Sequence, residues 1–296
     1  MTDDKAPQLI VLICREMKTM FYFHFYNEEE NIMIYSVQYP YPTYVPNPTV
    51  AICVSVIEGI SLIAWLIQSI QVRFQPRRMS ILLLISHLMI CAELIVRAIL
   101  TTDEQNSKIM FGVITGLFAT GQRMIIVSNF SFVLEIHHER TRLARGIFLG
   151  ATLCVITSGC FIIPANMLAF QANTIDKSLI YRIISAVILL VTALVFFVVL
   201  HWSDTIKDMT RQGLTLITIS SSLCLIVTIF NLIQSSSRAF YDEFNKQEGW
   251  FYGFNIAPIV ITHFTWSILH PKRSLTIFCP PKTTNRYANF NNNIHD

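Results

Sequence analysis

Long apolar stretches alternate with short polar segments along most of the chain. A helix that crosses a bilayer takes roughly 20 mainly apolar residues, because it rises about 1.5 Å per residue through about 30 Å of hydrocarbon. Seven stretches have about this length: 49–70, 79–100, 109–134, 147–170, 179–202, 213–233 and 250–269. Backbone groups in hydrocarbon must bond within their own segment, so we expect helices. The pattern predicts an all-α integral membrane bundle of seven transmembrane helices.

Composition and charge narrow the class of protein. Hydrophobic residues make up 53% of the chain and charged residues 14%, whereas a soluble domain carries about 25% charged residues. The apolar stretches leave no room for a soluble catalytic domain, so we expect no enzyme, no catalytic residue, no metal site and no cofactor. The net charge of +3 comes from loops beside the stretches, and no basic face suggests nucleic acid. We predict an extracellular or lumenal tail over 1–48, a transmembrane domain over 49–270, and a disordered cytosolic tail over 271–296.

The orientation follows from the distribution of basic residues. Short cytoplasmic loops are enriched in Lys and Arg. The first loop carries Arg73, Arg77 and Arg78, whereas the next connection has Lys108 alone. We therefore predict an outside N-terminus, a cytosolic C-terminus and a place in the plasma membrane rather than an internal membrane.

The apolar stretches contain the ionisable residues Glu58, Glu93, Arg97 and Arg123. A charge is costly in such a stretch and commonly marks a function. Glu58 lies midway along the first stretch, and a hydrogen bond between helices explains it as well as a polar cavity does. Glu93 and Arg97 are four residues apart, so we expect them to pair on one helix face, although Arg97 is also near enough to the outer interface to extend into it. Arg123 has no acidic residue three or four positions away. It needs a partner on another helix, a cavity or a ligand, and we predict Glu58 as the partner, with Glu93 in reserve.

Other polar residues at membrane depth are explained by hydrogen bonds between helices: His87, Asn129, Asn166, Asn231 and His263. Two further histidines, His137 and His138, are adjacent in the connection after the third stretch. Adjacent residues point to different faces of a helix, and no other ligand is near. They therefore do not predict a metal site.

Prolines and small residues in the stretches have packing interpretations. Pro164 and Pro258 are expected to kink the fourth and seventh helices. Three glycines of the third stretch would permit close helix approach: Gly112, Gly116 and Gly121. Five cysteines are expected to be small core residues: Cys53, Cys91, Cys154, Cys160 and Cys224.

Several short motifs have the order and spacing of a known family. Residues 254–258 (Phe-Asn-Ile-Ala-Pro) are similar to a Phe-Asp-x-x-Pro motif, and His270 begins a His-Pro pair at the distance where that family has its closing His-Pro. Glu93 stands at the position of a second-helix glutamate, and 234–240, which includes Arg238, is similar to an Arg-Ser-x-Phe/Tyr-Arg segment. Together these motifs resemble the fungal RTA-like family, seven-helix membrane proteins known as lipid-translocating exporters.

The chain departs from the family pattern at several of these positions, so it is similar to a divergent member. Asn255 replaces the aspartate and Gln234 the first arginine, while Thr152 and Gly159 stand where the family has Asp and Gln. The buried charges and the resemblance together give the candidate substrate-path residues Glu58, Glu93, Arg123 and Asn255, and the structural or interface candidates Arg97, Arg238, Pro258 and His270.

The resemblance implies that the protein translocates or exports an amphipathic lipid or a lipophilic toxic compound. Membrane lipids and an amphipathic or sterol-like ligand are then its expected partners. The chain has no nucleotide-binding motif, so transport would be passive, proton-linked or driven by a partner. A seven-helix G-protein-coupled or chemosensory receptor is the alternative. The third stretch lacks the acidic-Arg-Tyr ending of that class, and the last lacks its Asn-Pro-x-x-Tyr ending.

The predicted orientation is testable with two tags. A reporter fused after Asn292 should lie in the cytosol, and a tag at residue 2 should be accessible to antibody in intact cells, because the arginine-rich first loop should remain inside. Protection of the N-terminal tag in intact cells would overturn the orientation.

Overall fold

The computed structural model describes residues 47–100, 108–136, 142–170, 174–202, 209–236 and 248–271. All of them fall within one compact unit. The predictions made for the N-terminal tail, for His137 and His138, for Arg238 and for the C-terminal tail lie outside the described residues.

Seven helices account for the described chain, and they confirm the all-α prediction. The first six are α1 (Pro48–Gln71), α2 (Arg77–Ile99), α3 (Lys108–Ile136), α4 (Arg142–Leu168), α5 (Ile175–Trp202) and α6 (Arg211–Ser236). The seventh, α7, has three consecutive parts: Glu248–Phe251, the π-helical Tyr252–Ile256, and Ala257–Ile268. Each helix overlaps one of the predicted apolar stretches.

Six of these helices, α1 to α6, are long and apolar enough to cross a membrane. This supports a multi-pass membrane protein. The longest α-helical part of α7 has 12 residues, which is shorter than a membrane crossing requires.

The helices form a closed ring in chain order. Each contacts the next one along the chain, and α7 contacts α1 as well as α6. Helix α3 also reaches across to α5 and α6. The ring therefore places α1, α2 and α7 side by side, with α3 against α2 and α4.

Helix α1 shows that polar side chains point inward and apolar ones outward. Its buried residues are Ala51, Glu58, Ser61, Trp65 and Ser69. Its exposed large side chains are apolar: Val50, Ile52, Val56, Ile57, Ile60, Ile63, Ile67 and Ile70. A soluble helix has the opposite arrangement. An apolar outer face suits lipid, and the bundle interior holds the polar groups that lipid cannot satisfy.

The cysteine prediction is mostly wrong for the same reason. Cys224 is buried, but Cys53, Cys154 and Cys160 are exposed on the outer faces of their helices. In lipid an outward apolar side chain loses nothing, so hydrophobicity does not indicate which face is buried.

The break in α7 lies next to Pro258, where a kink was predicted. Proline has no backbone N–H, so the helix loses one hydrogen bond there. The five-residue π-turn Tyr252–Ile256 precedes Ala257 and Pro258 directly, and it carries the buried Asn255. Such turns are frequent at functional sites.

Only one of the three glycines of α3 is needed for close packing. A Cβ at Gly121 would lie 2.7 Å from the Ile90 side chain and 3.3 Å from the Ser86 carbonyl oxygen, whereas Gly112 and Gly116 have nothing within 4 Å. The close approach of α2 and α3 therefore depends on Gly121.

Gly121→Ala and Gly116→Ala form a matched pair that tests this contact. Both changes add the same methyl group to the same helix, and both gain helix propensity. We expect Gly121→Ala to lower the free energy of unfolding by about 1–3 kcal/mol because of overpacking, and Gly116→Ala not to lower it. The measurement is denaturant or thermal unfolding in mild detergent. Equal stability of the two variants would contradict the packing described here.

Candidate functional site

Three ionisable side chains from three helices meet inside the bundle. The Nδ1 atom of His87 on α2 lies 2.8 Å from Oε1 of Glu58 on α1, and the Nδ1 atom of His263 on α7 lies 2.6 Å from the same oxygen. All three side chains are fully buried. The two imidazole rings are stacked, with centroids 3.8 Å apart. We call Glu58, His87 and His263 the Glu–His cluster.

The local sequence explains why Glu58 and His87 lie at similar depth. Helices α1 and α2 are joined by a short connection, so they run antiparallel as neighbours. Glu58 lies about 20 Å before the end of α1, and His87 about 15 Å after the start of α2, at about 1.5 Å per residue. The ring closure between α7 and α1 then brings His263 to the same carboxylate.

Ser86 determines which nitrogen of His263 carries a hydrogen. Its Oγ lies 2.7 Å from the carbonyl oxygen of Gly121 and 2.8 Å from Nε2 of His263. A carbonyl oxygen only accepts, so the single hydroxyl proton is donated to Gly121, and Nε2–H donates to Ser86. At 2.6 Å, lone pairs on His263 Nδ1 and Glu58 Oε1 would repel each other. A hydrogen bond with the proton shared between these two atoms accounts for this distance.

Two polar atoms of the Glu–His cluster have no hydrogen-bond partner. Glu58 Oε2 and His87 Nε2 are buried without a hydrogen-bond partner, and leaving such a group unsatisfied costs about 1–3 kcal/mol. The Trp65 ring stacks against His87 and against His270, with centroid distances of 6.1 and 5.0 Å. The cluster is thus a set of nitrogen and oxygen donors in apolar surroundings, suited to holding a cation or shared protons.

Arg123 is a second polar centre, and neutral oxygens surround it. Its Nη1 donates to the carbonyl oxygen of Ala119 at 2.8 Å, and its Nη2 donates to Oγ of Ser158 at 2.8 Å and of Ser185 at 2.9 Å. The two serines orient each other, because each hydroxyl donates to the other's backbone carbonyl, at 3.0 and 2.8 Å. Nε of Arg123 has no partner, and the residue is 6% exposed.

The predicted pairing of Arg123 with Glu58, or in reserve with Glu93, is wrong. Within the described ranges, Arg123 bonds no acidic side chain, and Glu58 bonds the two histidines. Gly121 faces α2, where it meets Ile90. Arg123 is two residues further on, about 200° around the helix at 3.6 residues per turn, and so faces α4 and α5. The body of α3 separates the two centres.

Glu93 and Arg97 pair within α2, as predicted. Nε of Arg97 donates to Oε1 of Glu93, and both residues are buried. The guanidinium carbon lies 4.4 Å from the centroid of the Phe251 ring. The pair therefore joins α2 to the first turn of α7.

Asn255 of α7 contacts Gln234 of α6. Nδ2 of Asn255 donates to Oε1 of Gln234 at 3.3 Å. The bond joins α7 to α6. Both side chains are neutral amides, so this contact carries no charge.

The other polar predictions have mixed outcomes. His270 is buried, Pro258 is the second residue of the last part of α7, and Arg238 lies outside the described residues. The predicted hydrogen bonds between helices are confirmed for the asparagines: Asn129 accepts from Ser220 at 2.7 Å, Asn166 accepts from Arg182 at 3.0 Å, and Asn231 donates to Gln122 at 3.0 Å.

Sequence reasoning did not identify the serines of either centre. Ser86, Ser158 and Ser185 each lie within an apolar stretch, where serine is common and has no special spacing. It also treated His87 and His263 as separate packing residues. The available signal was that Glu58, His87 and His263 share about the same depth, which antiparallel neighbouring helices would have indicated.

Double-mutant cycles distinguish the two centres. Arg123→Ala and Glu58→Ala should be additive in the free energy of unfolding to within about 0.5 kcal/mol, because the residues share no partner. Glu58→Ala and His263→Ala should deviate from additivity by about 0.5–3 kcal/mol, because the residues bond directly. Unfolding in mixed micelles measures both cycles. Coupling in the first cycle above this range would show that the centres interact.

No protein-family model, curated protein or solved structure matches this chain. Its functional assignment therefore rests on its own residues and contacts.

Proposed function

We propose that this chain crosses the membrane seven times and moves an amphipathic lipid or lipophilic compound, with Arg123 binding an acidic group of that compound. The observation that carries the proposal is the buried guanidinium of Arg123. Among the described residues its hydrogen-bond partners are all neutral, and its Nε–H has no partner. The plasma membrane is the proposed location, with the N-terminus outside and the C-terminus in the cytosol.

A seventh crossing is supported by the continuity of α7. Phe251, Ile256 and Ala257, at the two junctions, all have right-handed helical backbone angles. The three parts together extend about 30 Å at about 1.5 Å per residue, which matches the hydrocarbon thickness. Contacts of α7 with both α1 and α6 complete the ring.

The charge balance at Arg123 favours an anionic ligand. An arginine at mid-bilayer costs about 2.5–3.5 kcal/mol on insertion scales. Two serine hydroxyls and a carbonyl lower that cost by hydrogen bonding, but they leave the net charge in place. A carboxylate or phosphate is the natural partner of a guanidinium, because its oxygens accept parallel N–H bonds. Anionic head groups of amphipathic lipids supply that chemistry within a membrane.

Gly159 leaves space beside the unused donor. A Cβ at this position would lie 3.7 Å from Nε of Arg123 and 3.8 Å from Cδ. The glycine therefore keeps one side of the guanidinium free of side-chain atoms from α4. A larger residue there would restrict approach to Nε–H.

The contact between Gln234 and Asn255 supports the resemblance to lipid-translocating exporters. Two positions that depart from the pattern of that family lie in one contact between α7 and α6, which favours their alignment with that pattern. The two substitutions also compensate each other. A charged residue at only one of the two positions would face a neutral amide and lack a partner of opposite charge.

Transport is testable in vesicles. The purified protein in liposomes should accelerate transbilayer movement of a fluorescent phosphatidic acid, monitored by quenching of the outer-leaflet label. Arg123→Met should reduce the rate at least about tenfold, since a charge-assisted bond contributes about 1.5–3 kcal/mol. Arg123→Lys should retain part of the rate, and Gly159→Ala should lower it less than Arg123→Met does. Labelled phosphatidylcholine and a labelled sphingoid base test head-group preference.

Arg182→Gln is the control for loss of a half-buried arginine from the bundle. Arg182 has a side-chain partner, Asn166, so its variant should transport like the native protein if it remains folded. Equal rates for Arg123→Met and the native protein would exclude the role of Arg123. Folded protein that moves none of these lipids, but activates a G protein when a soluble ligand is added, would show the alternative, a receptor.

A further inference from the structure

We propose that Glu58, His87 and His263 bind a divalent transition-metal ion, for which Zn²⁺ is the simplest probe. One donor atom from each residue lies within 4.8 Å of the other two. This site is separate from Arg123 and does not depend on the proposed transport. It also departs from the sequence-based expectation of no metal, which considered only the adjacent His137 and His138.

The first support is the arrangement of lone pairs. The bond from Nε2–H to Ser86 leaves Nδ1 of His263 directed at Oε1 of Glu58, 2.6 Å away. Nδ1 of His87 approaches the same oxygen at 2.8 Å. A cation placed among these atoms would satisfy all three donors at once.

The second support is the shell around the donors. A histidine that binds a metal typically donates its other ring N–H to an outer partner, which fixes the tautomer and the ring orientation. His263 has this arrangement, because Ser86 accepts from Nε2–H and is itself fixed on the Gly121 carbonyl.

The third support is the unused oxygen of Glu58. Ligands of a tetrahedral Zn²⁺ lie about 3.3 Å apart at bond lengths of about 2.0–2.1 Å. The present distances of 2.6 and 2.8 Å suit shared protons. Metal binding therefore requires these donor atoms to separate by about 0.5–0.7 Å, or the carboxylate to present Oε2. Oε2 is fully buried and has no hydrogen-bond partner, so its use as a ligand breaks no existing bond.

The donor set indicates the class of ion. Imidazole nitrogen suits Zn²⁺, Fe²⁺, Ni²⁺ and Cu²⁺, whereas Mg²⁺ and Ca²⁺ prefer oxygen ligands alone. Two histidines and one carboxylate leave a coordination position for water or another ligand. The ion would also place its positive charge beside Glu58, where the described structure has no Lys or Arg bonded to the carboxylate.

Metal binding is measured on the full chain in mild detergent. Protein stripped with a chelator, equilibrated with Zn²⁺ and freed of excess should retain about one ion per chain by elemental analysis. Co²⁺ should give a visible d–d spectrum that Zn²⁺ abolishes. Glu58→Gln and His263→Asn should weaken Zn²⁺ binding more than about tenfold, and Ser86→Ala by about 10–100-fold with the stoichiometry unchanged at saturation.

The double variant His137→Asn/His138→Asn is the control for adventitious binding and should retain the ion. If Glu58→Gln does not fold, Ser86→Ala and the Co²⁺ spectrum of the native protein still decide the question. Folded native protein that retains no ion would overturn the proposal and leave a proton-sharing cluster. Full occupancy in both Glu58→Gln and His263→Asn would place the ion elsewhere and would also overturn it.

Discussion

The carboxylate of Glu58 joins the first helix of the bundle to the last. One oxygen accepts from, or shares protons with, histidines on α2 and α7, so the closure of the ring depends on a group that hydrocarbon cannot solvate. Helix association in lipid gains little from the hydrophobic effect and relies on packing and polar contacts. The hydroxyl contact between Ser61 and Ser267, at 3.4 Å, lies on the same seam but is weaker. The side chains of the Glu–His cluster therefore both hold the helices together and form the candidate site.

Helix α3 divides the interior into two polar regions. Through Gly121 it supplies the carbonyl that fixes Ser86 and thereby His263. From its opposite face, Arg123 reaches the paired serines of α4 and α5. In the first region, Glu58 Oε2 and His87 Nε2 have no hydrogen-bond partner, which favours binding of a cation. In the second, Arg123 is positively charged and its Nε–H has no partner, which favours binding of an anion. The two regions therefore favour ligands of opposite charge.

Hydropathy was sufficient to predict the helices, because a membrane crossing imposes a length and a composition that the sequence shows directly. The pair Glu93–Arg97 was predictable too, since a spacing of four residues places both on one helix face. The partners of Glu58 and Arg123 were not predictable in this way. They depend on the rotation of each helix about its axis, and apolar residues on both faces conceal that rotation. The exposed Cys53 and Cys154 were misassigned for this reason. Neighbouring antiparallel helices do fix depth, which was the one available indication that Glu58 and His87 would meet.

Helix α7 contacts its two neighbours in different ways. It meets α6 through the neutral amides Gln234 and Asn255, and α1 through the ionisable Glu–His cluster. On the α1 side, the proposed metal ion at Glu58, His87 and His263 would set the strength of attachment. On the α6 side, an amide pair has no charge to screen or to titrate. A change in that cation would therefore loosen one edge of α7 while the other edge stays attached, and the π-turn at Tyr252–Ile256 lies on the attached edge. The side of α7 at Glu58 would then separate from α1, while the side at Asn255 would stay against α6.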